Sequence, residues 1–375
     1  MSAAFIVAAR RTAVAPRGGA FKAVEVTELG AAPIRALLAD GGLAPGEVDE
    51  VILGNALYGG GNPARMAALA AGLPDATPAL TIDSQCCGGL DAVMMAADRI
   101  ASGAARAVIA GGVESFSRAP LRARRPRHPG EAPQPYERPP FAPWPERDPD
   151  MIAAAATLAE RFGVTRAAQD AFAVESHRKA RRDPPGPPEI VPLADLAHDA
   201  FARALTPDLC RRLPPLAGDA GHGVTRATVA VEADAAAVVL VVSEDVARRL
   251  APSRPVRIVA GCRCGGDPGM PGAAPIAAAR AVLAAEALAP SAIAVAEIME
   301  AFAAQAIACI DGIGLDPARV NRRGGALARG HPIGASGAIL AVRLWHALQR
   351  EAPGARGLAA IAAAGGLGSA LMMDV

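Results

Sequence analysis

Two stretches of the sequence decide how the chain is organised: Thr81-Ile-Asp-Ser-Gln-Cys86-Cys87-Gly88-Gly89-Leu90, and Gly324-Gly-Ala-Leu-Ala-Arg-Gly330-His331-Pro332-Ile-Gly334-Ala-Ser-Gly337. Each is a turn of small residues that opens an Ala-rich segment with helical spacing, residues 89–102 in one case and 337–350 in the other. Each helical segment leads to a short apolar run, 106–110 or 358–363, and each run ends at a glycine pair, Gly111-Gly112 or Gly365-Gly366. The repeated order of turn, helix, strand and Gly-Gly turn predicts a duplicated α/β half with a pseudo-two-fold axis. The second copy has the longer loop between helix and strand.

Working outward, further apolar runs at 5–9, 51–53, 236–242, 256–259 and 294–298 read as buried strands. Segments 29–40 and 276–287 have helical spacing. Strands alternating with helices predict α/β layers around a mixed sheet. Between the halves the composition changes. Residues 120–149 hold ten prolines and the basic stretch Arg122-Ala-Arg124-Arg125-Pro-Arg127-His128. Proline lacks an N–H donor and fixes φ, so this segment cannot form a sheet or a continuous helix. A helical segment, 153–180, and a second Pro-rich turn, 183–192, follow. The expected division is 1–118 with 233–254 as the first half, 119–232 as an inserted loop domain, and 255–375 as the second half.

Composition removes several function classes. With 375 residues the chain is long enough for more than one core, and 52% hydrophobic against 20% charged residues argues against extended disorder. The formal net charge is +1 and aromatics are 3%, so neither charge nor stacking surface suggests a nucleic-acid partner. No apolar run reads as a membrane span; 357–373 is interrupted by Gly365, Gly366 and Gly368. The six cysteines (86, 87, 210, 262, 264 and 309) follow no secretory signal and form no zinc pattern, because Cys262-Arg-Cys264 stands alone. A reduced cytoplasmic protein with neither disulfides nor a bound metal is expected.

The chemistry-bearing residues lie in the two opening stretches. A thiol at a helix N-terminus feels the positive end of the macrodipole, which predicts a lowered pKa for Cys86. Cys87 is the neighbouring competitor, turned about 100° away if helical. His331, held between Gly330 and Pro332, suits a general base or an oxyanion donor. The duplication sets His331 near the place that Cys86 takes in the first half, and a Cys activated by a His is an acyl-transfer pair.

At this point the residues carry a resemblance. Asn62-Pro-Ala-Arg65, Ala110-Gly-Gly-Val-Glu-Ser-Phe-Ser-Arg-Ala-Pro120, Gln169-Asp-Ala-Phe-Ala-Val-Glu-Ser-His-Arg-Lys179 and the run from Asn321 to Gly337 resemble the thiolases, acyl-CoA acyltransferases, over nearly the whole chain. The resemblance implies a thiolase-like α/β fold of two duplicated αβαβα halves with mixed five-stranded sheets. It also implies a loop domain over the coenzyme A pantetheine and a homodimer or homotetramer. By position it makes Cys86 the acylated nucleophile and His331 its activator. Backbone N–H groups of Cys86 and Ala364 would form an oxyanion hole, and Ala301 and Phe302 would line the pantetheine tunnel. Coenzyme A enters as a thioester substrate, and no cofactor is implied.

The sequence also departs from the family pattern. Met299 stands in place of the Asn of Asn-Glu-Ala-Phe, and Ala362 in place of the second catalytic Cys, which removes the α-proton of acetyl-CoA. Ala230 replaces a coenzyme A-contacting Ser. Acylation of Cys86 keeps its parts, whereas carbon–carbon chemistry is expected to be weak or altered. Two alternatives stay open: a non-catalytic thiolase-like scaffold or partner subunit, and a thioester hydrolase.

Overall fold

The computed structural model describes residues 2–186 and 188–375. The first half runs β1 (Ala4–Thr12), the two-residue β2 (Ala15–Pro16), α1 (Val26–Gly41), β3 (Glu50–Gly54), α2 (Pro63–Ala70), β4 (Ala79–Ile82), α3 (Gly88–Ala101) and β5 (Ala107–Glu114). The chain then leaves the sheet for a loop-rich segment. It holds the two-residue strands β6 (Ala123–Arg124), β7 (Gln134–Pro135) and β8 (Ile190–Val191), and the helices α4 (Met151–Arg161), α5 (Arg166–Arg182) and α6 (Pro207–Arg212). It returns as β9 (Ala233–Ser243) and α7 (Glu244–Leu250). The second half follows as β10 (Val256–Gly265), α8 (Ala274–Ala285), β11 (Ile293–Ile298), α9 (Ala303–Ile313), α10 (Ala326–Arg329), α11 (Ile333–Leu348), β12 (Arg356–Ala363) and β13 (Leu367–Asp374).

Strand pairing bears out the duplication. In the first half β3 pairs in parallel with β4 and β5, β5 pairs antiparallel with β9, and β9 antiparallel with β1. In the second half β11 pairs in parallel with β12, β12 antiparallel with β13, and β13 antiparallel with β10. The second counterpart of β4 is reduced to one residue, Val320, bridged in parallel to Ala296 of β11. The first sheet thus has five full strands, and the second has four with a one-residue fifth position. An antiparallel contact of Ala4, Phe5 and Ile6 with β10 joins the two.

Alternation along the strands builds five layers. In β5, Ile109 packs with α1 and α2 on the outer face, while its neighbours Val108 and Ala110 point the other way into the central core. In β12, Leu358 and Ala360 face α8 and α9, while Ala359 and Ile361 face the centre. Both sheets are covered on both faces, so their strands read as unbroken apolar runs rather than alternating ones. The central layer is α3 against α11, and small residues let the two helices and the sheet close tightly. A Cβ on Gly112 would lie 2.0 Å from the Gly334 carbonyl oxygen, so this position takes glycine only.

The inserted segment departs from expectation at one point. The single helix expected over 153–180 is two helices, α4 and α5, broken at residues 162–165. Gly163 takes a left-handed φ of 67°, and Thr165 caps α5 by accepting the Ala168 N–H at 3.2 Å. The segment is tied back to the sheet by β8, which pairs with Arg11 and Thr12 of β1. Beside it lies a buried ion network. Arg11, 0% exposed, donates to Glu189 at 2.7 Å and in bidentate fashion to Asp199 at 2.7 and 2.9 Å. Arg323 reaches the other Glu189 oxygen at 3.1 Å.

Candidate active site

The N-terminal ends of α3 and α11 meet at the centre of the molecule, and the two opening stretches meet with them. Cys86 lies in a 3₁₀ turn (Gln85–Cys87) just before α3. The turn is entered through Gln85 in left-handed backbone, φ 55°. Cys87 points elsewhere: it is fully buried and its thiol reaches the Ile361 carbonyl. His331 is set by its main chain, whose N–H donates to Val231 O at 2.7 Å. Gly330, with φ 115°, brings the chain there; a Cβ on it would sit 2.7 Å from that of Ala233.

These turns place Cys86 Sγ 3.1 Å from His331 Nε2. The other ring nitrogen, Nδ1, lies 2.7 Å from Ser336 Oγ. The Ser336 hydroxyl hydrogen is used on Pro332 O at 2.9 Å, so Oγ meets Nδ1 as an acceptor. That assigns the proton of the neutral imidazole to Nδ1 and leaves Nε2 as a lone pair facing the thiol. Burial alone holds His331 well below its usual pKa, at about 4. Burial, with the charge of Glu114 adding to it, pushes the Cys86 thiol up to about 12. Backbone N–H groups of Cys86 and Ala364 near the sulfur pull in the other direction.

The direction for Cys86 is opposite to the sequence-based expectation. A helix N-terminus does favour a thiolate, but desolvation outweighs it here. Burial thus favours a neutral thiol beside a neutral imidazole. Such a pair can make a nucleophile by passing the S–H proton to Nε2 as a carbonyl is attacked.

The pair opens on a cavity of about 190 Å³, more than ten times the ~15 Å³ that one water needs. It is a substrate-sized space. Ala301, Phe302, Ala230, Ala362 and Ala364 all line it together with Cys86 and His331. Its side-chain polarity comes from Gln85, Cys86, Gln305 and His331, and among the described residues no acidic or basic side chain other than His331 lines it. Met299 is not part of this wall: it is 1% exposed and packs in the central core.

The inserted segment completes the wall. Val229 bridges Phe302, the Ala230 N–H donates to Ala301 O at 3.0 Å, and the Ala303 N–H to Thr228 O at 2.9 Å. Ser176 of α5 donates to the buried Glu300 carboxylate at 2.7 Å, and Asn321 does so at 2.7 Å. Burial raises the Glu300 pKa. On the other side of the site, Glu114 is fully buried and raised to about 7, chiefly by desolvation. Its carboxylate accepts from Asn55 Nδ2, the Ala56 N–H and the Gly334 N–H, each at 2.9 Å. It therefore clamps the start of α11 to the first half.

Sequence reasoning missed Ser336, Gln305 and Glu114. Ser336 stood in the quoted stretch, four residues after Pro332 on the helix it opens. That spacing is the signal that a hydroxyl can turn back on that residue's carbonyl. Gln305 carried no local signal, and Glu114, though inside the quoted Ala110–Pro120 stretch, gave no sign of its role there, because its partners come from distant segments.

Comparison with known proteins agrees with this fold. The model for the thiolase N-terminal domain matches residues 4–245, and that for the thiolase C-terminal domain matches residues 254–375. "Putative acetyl-CoA C-acetyltransferase YhfS" of Bacillus subtilis (strain 168) is 38% identical over 99% of both chains. "Putative acetyl-CoA C-acetyltransferase VraB" of Staphylococcus aureus (strain MRSA252) is 36% identical, again over 99% of both. The crystal structure of the Bacillus anthracis acetyl-CoA acetyltransferase superposes with a TM-score of 0.89 at 33% identity, covering 100% of this chain and 99% of that one. With both domain models, full-length relatives and the duplicated fold in agreement, the chain belongs to the thiolase family of acyl-CoA acyltransferases.

Proposed function

We propose that this chain transfers acyl groups from coenzyme A thioesters through an acyl-Cys86 intermediate. The observation that carries the reading is the 3.1 Å contact of Cys86 Sγ with an imidazole nitrogen that Ser336 keeps unprotonated, at the wall of an apolar cavity. Sγ attacks the thioester carbonyl while its proton passes to His331 Nε2. The backbone N–H groups of Cys86 and Ala364 take the developing oxyanion. The carbon–sulfur bond to coenzyme A then breaks, the leaving thiolate recovers the proton from Nε2, and S-acyl-Cys86 and coenzyme A thiol remain. Ala301, Phe302 and Ala230 line the path of the pantetheine. The names of the relatives favour acetyl as an acyl group and carbon as the acceptor atom.

The second half-reaction is where this chain differs. Ala362 offers no group to take an α-proton, and Met299 offers no hydrogen bond to an enolate oxygen. A missing acid/base costs roughly 10²–10⁴-fold, and a missing oxyanion donor roughly 10²–10³-fold. Condensation or thiolysis is therefore slow unless His331 carries the proton or the acceptor arrives already activated. Among the described residues no helix is long and apolar enough to cross a membrane. A homo-oligomer is supported by the free edge strand β4, where Leu80 is 41% exposed beside Met66 and Leu69; light scattering of the purified chain as a monomer would refute that assembly.

Intact-mass measurement after incubation with acetyl-CoA tests the first half-reaction. An acetyl adduct on Cys86, absent from Cys86→Ala, is the expected result, and no adduct with any acyl-CoA refutes the reading. For the second, Ala362→Cys restores a thiol at the cavity wall and is expected to raise acetoacetyl-CoA cleavage by roughly 10²-fold or more. Wild-type cleavage already as fast as the variant's would show that position 362 needs no base.

A further inference from the structure

A second cavity, of about 200 Å³, shares no lining residue with the one at Cys86. The end of α5, the loop around 198–202 and the run 323–329 enclose it. Arg329 and Pro185 are buried at its floor, while Arg181 and His198 are exposed at its mouth. Arg323 and Asp199 belong to its wall.

Arg329 is 3% exposed, and its side chain makes one hydrogen bond, from Nη1 to the Gly324 carbonyl at 2.8 Å. Its Nε and Nη2 have no acceptor among the described residues. The buried nitrogens that lack both a partner and any surface belong to other residues. Nε and Nη2 therefore keep surface on the cavity that Arg329 lines. Burial and the charge of Arg343 pull the Arg329 pKa down to about 10, which leaves the guanidinium charged at neutral pH.

The surrounding groups are already spent. The Gly324 carbonyl also accepts from Arg343 Nη2 at 2.9 Å, which uses both lone pairs. Asp199, the one carboxylate of this wall, holds Arg11 with both oxygens, at 2.7 and 2.9 Å, and takes the Val14 N–H at 2.9 Å. Arg323 gives Nε to the Asp183 carbonyl and Nη1 to Glu189, each at 3.1 Å, and its Nη2 has no acceptor among the described residues. Around the floor, the buried guanidiniums of Arg11, Arg329 and Arg343 meet the carboxylates of Glu189, Asp199 and Glu297, and Arg323 adds a further positive charge. A buried charge with open donors is costly unless it is paired. Water can fill the donors but cannot balance the charge. An oxyanion does both, and the guanidinium fork matches phosphate oxygens.

We propose that this cavity is a binding site for a phosphate group, held by Arg329 at the floor and by Arg323 and Arg181 above it. Two sources share that chemistry: the free phosphate ion, and a small phosphomonoester whose remainder fills the mouth. The site is independent of the chemistry at Cys86.

The test is calorimetric titration of the purified chain with inorganic phosphate and, separately, with glycerol 3-phosphate, at fixed ionic strength. It is repeated with coenzyme A at saturation, and with Arg329→Met and Arg181→Ala. One site per chain is expected for at least one probe, undisturbed by coenzyme A. Its affinity should fall roughly tenfold or more in Arg329→Met and severalfold in Arg181→Ala. Tighter binding of inorganic phosphate assigns the free ion, and tighter binding of glycerol 3-phosphate a phosphomonoester. No binding of either probe at millimolar concentration overturns the proposal and leaves the donors to water. Displacement by coenzyme A also overturns it, placing the phosphate on the path of that substrate. Arg181 is exposed, so its variant stands even if Arg329→Met fails to fold. Unchanged affinity in the variants that fold puts the anion elsewhere and overturns the site.

Discussion

Ser336→Ala removes one hydroxyl that touches no substrate, yet it should slow acylation of Cys86 severalfold to a hundredfold. In the resting site Ser336 Oγ accepts the His331 Nδ1 proton at 2.7 Å while donating to Pro332 O at 2.9 Å. Without the hydroxyl, the ring has two outcomes. It can keep its proton on Nδ1, leaving a buried N–H unsatisfied at about 1–3 kcal/mol. Or it can move the proton to Nε2, where it faces the sulfur and the lone pair that accepts the thiol proton is gone. Either way the competent tautomer becomes dearer by about 1–3 kcal/mol, which at 1.36 kcal/mol per decade is roughly 5- to 150-fold in rate. The assay is the time course of the Cys86 adduct with acetyl-CoA, alongside thermal unfolding of the same variant. Ser336→Thr keeps the hydroxyl and should recover much of the rate, a rescue that general destabilisation would not give. Wild-type acylation by a folded Ser336→Ala protein would refute the tautomer assignment.

Two further outcomes follow from the buried ionisable groups. The Cys86 thiol is pushed up to about 12 and His331 down to about 4, so iodoacetamide should label Cys86 slowly at neutral pH, with a rate still climbing at pH ~9, past the ordinary thiol pKa of about 8.5. A plateau near pH 6, read at the Cys86 peptide, would instead reveal a resting thiolate–imidazolium pair. For Glu189, burial works to raise the pKa, but the guanidinium charges of Arg11 and Arg343 overcome it and hold the carboxyl well below the usual carboxylate range. A folded pKa below the unfolded one gives stability that is complete above the ordinary carboxylate value of 4.5 and is lost as pH falls through the folded value. Denaturant midpoints of the wild type should therefore fall below that pH. Glu189→Gln should be less stable by about 3–5 kcal/mol at neutral pH and should lose less on acidification; an unchanged acid slope would show that Glu189 does not carry the effect.

The duplication was legible because both copies repeat a pattern that is local in sequence: small-residue turn, helix, apolar strand, glycine pair. That repeat alone could bring Cys86 and His331 together across the 245 residues that separate them, since nothing local links the two. The β12–β13 hairpin was legible for the same reason, its turn being marked by Gly365 and Gly366, both at positive φ. The break between α4 and α5 was not, because one glycine inside an Ala-rich run is tolerable in a helix and only the Thr165 cap marks the restart. The reduced fifth strand of the second half was not, because Val320 is one bridge residue with no run to read. The protonation of Cys86 was misread because the helix N-terminus is a local feature, whereas burial is set by the whole fold and proved larger. Ser336 is a polar position on an apolar helix, and only the identity of its partner, His331, separates a working group from a packed one.

On the proposed acyl-Cys86 reading, the two halves of the reaction place different demands on the chain, and this would explain how one half could keep its machinery while the other loses residues. On that reading, acylation depends on one side-chain pair and on two main-chain donors. The donors at Cys86 and Ala364 are fixed by the turns before α3 and after β12, so changing the side chain at 362 or 299 leaves them in place. In the resting site the same N–H groups act on the Cys86 sulfur, lowering its pKa against burial. Desolvation raises the thiol, and the nearby main-chain N–H groups only partly offset it. When a thioester carbonyl enters, the negative charge moves from sulfur to oxygen, and donors already aimed at that corner can follow it without reorganising. Proton transfer to Nε2 is then drawn forward by bond formation rather than completed beforehand. Abstraction of an α-proton has no such main-chain substitute: it needs a basic side chain at the α-carbon, and Ala362 supplies none. A carbon acceptor must therefore rely on His331 or bring its own activation, and the acylated enzyme should outlast the step that forms it.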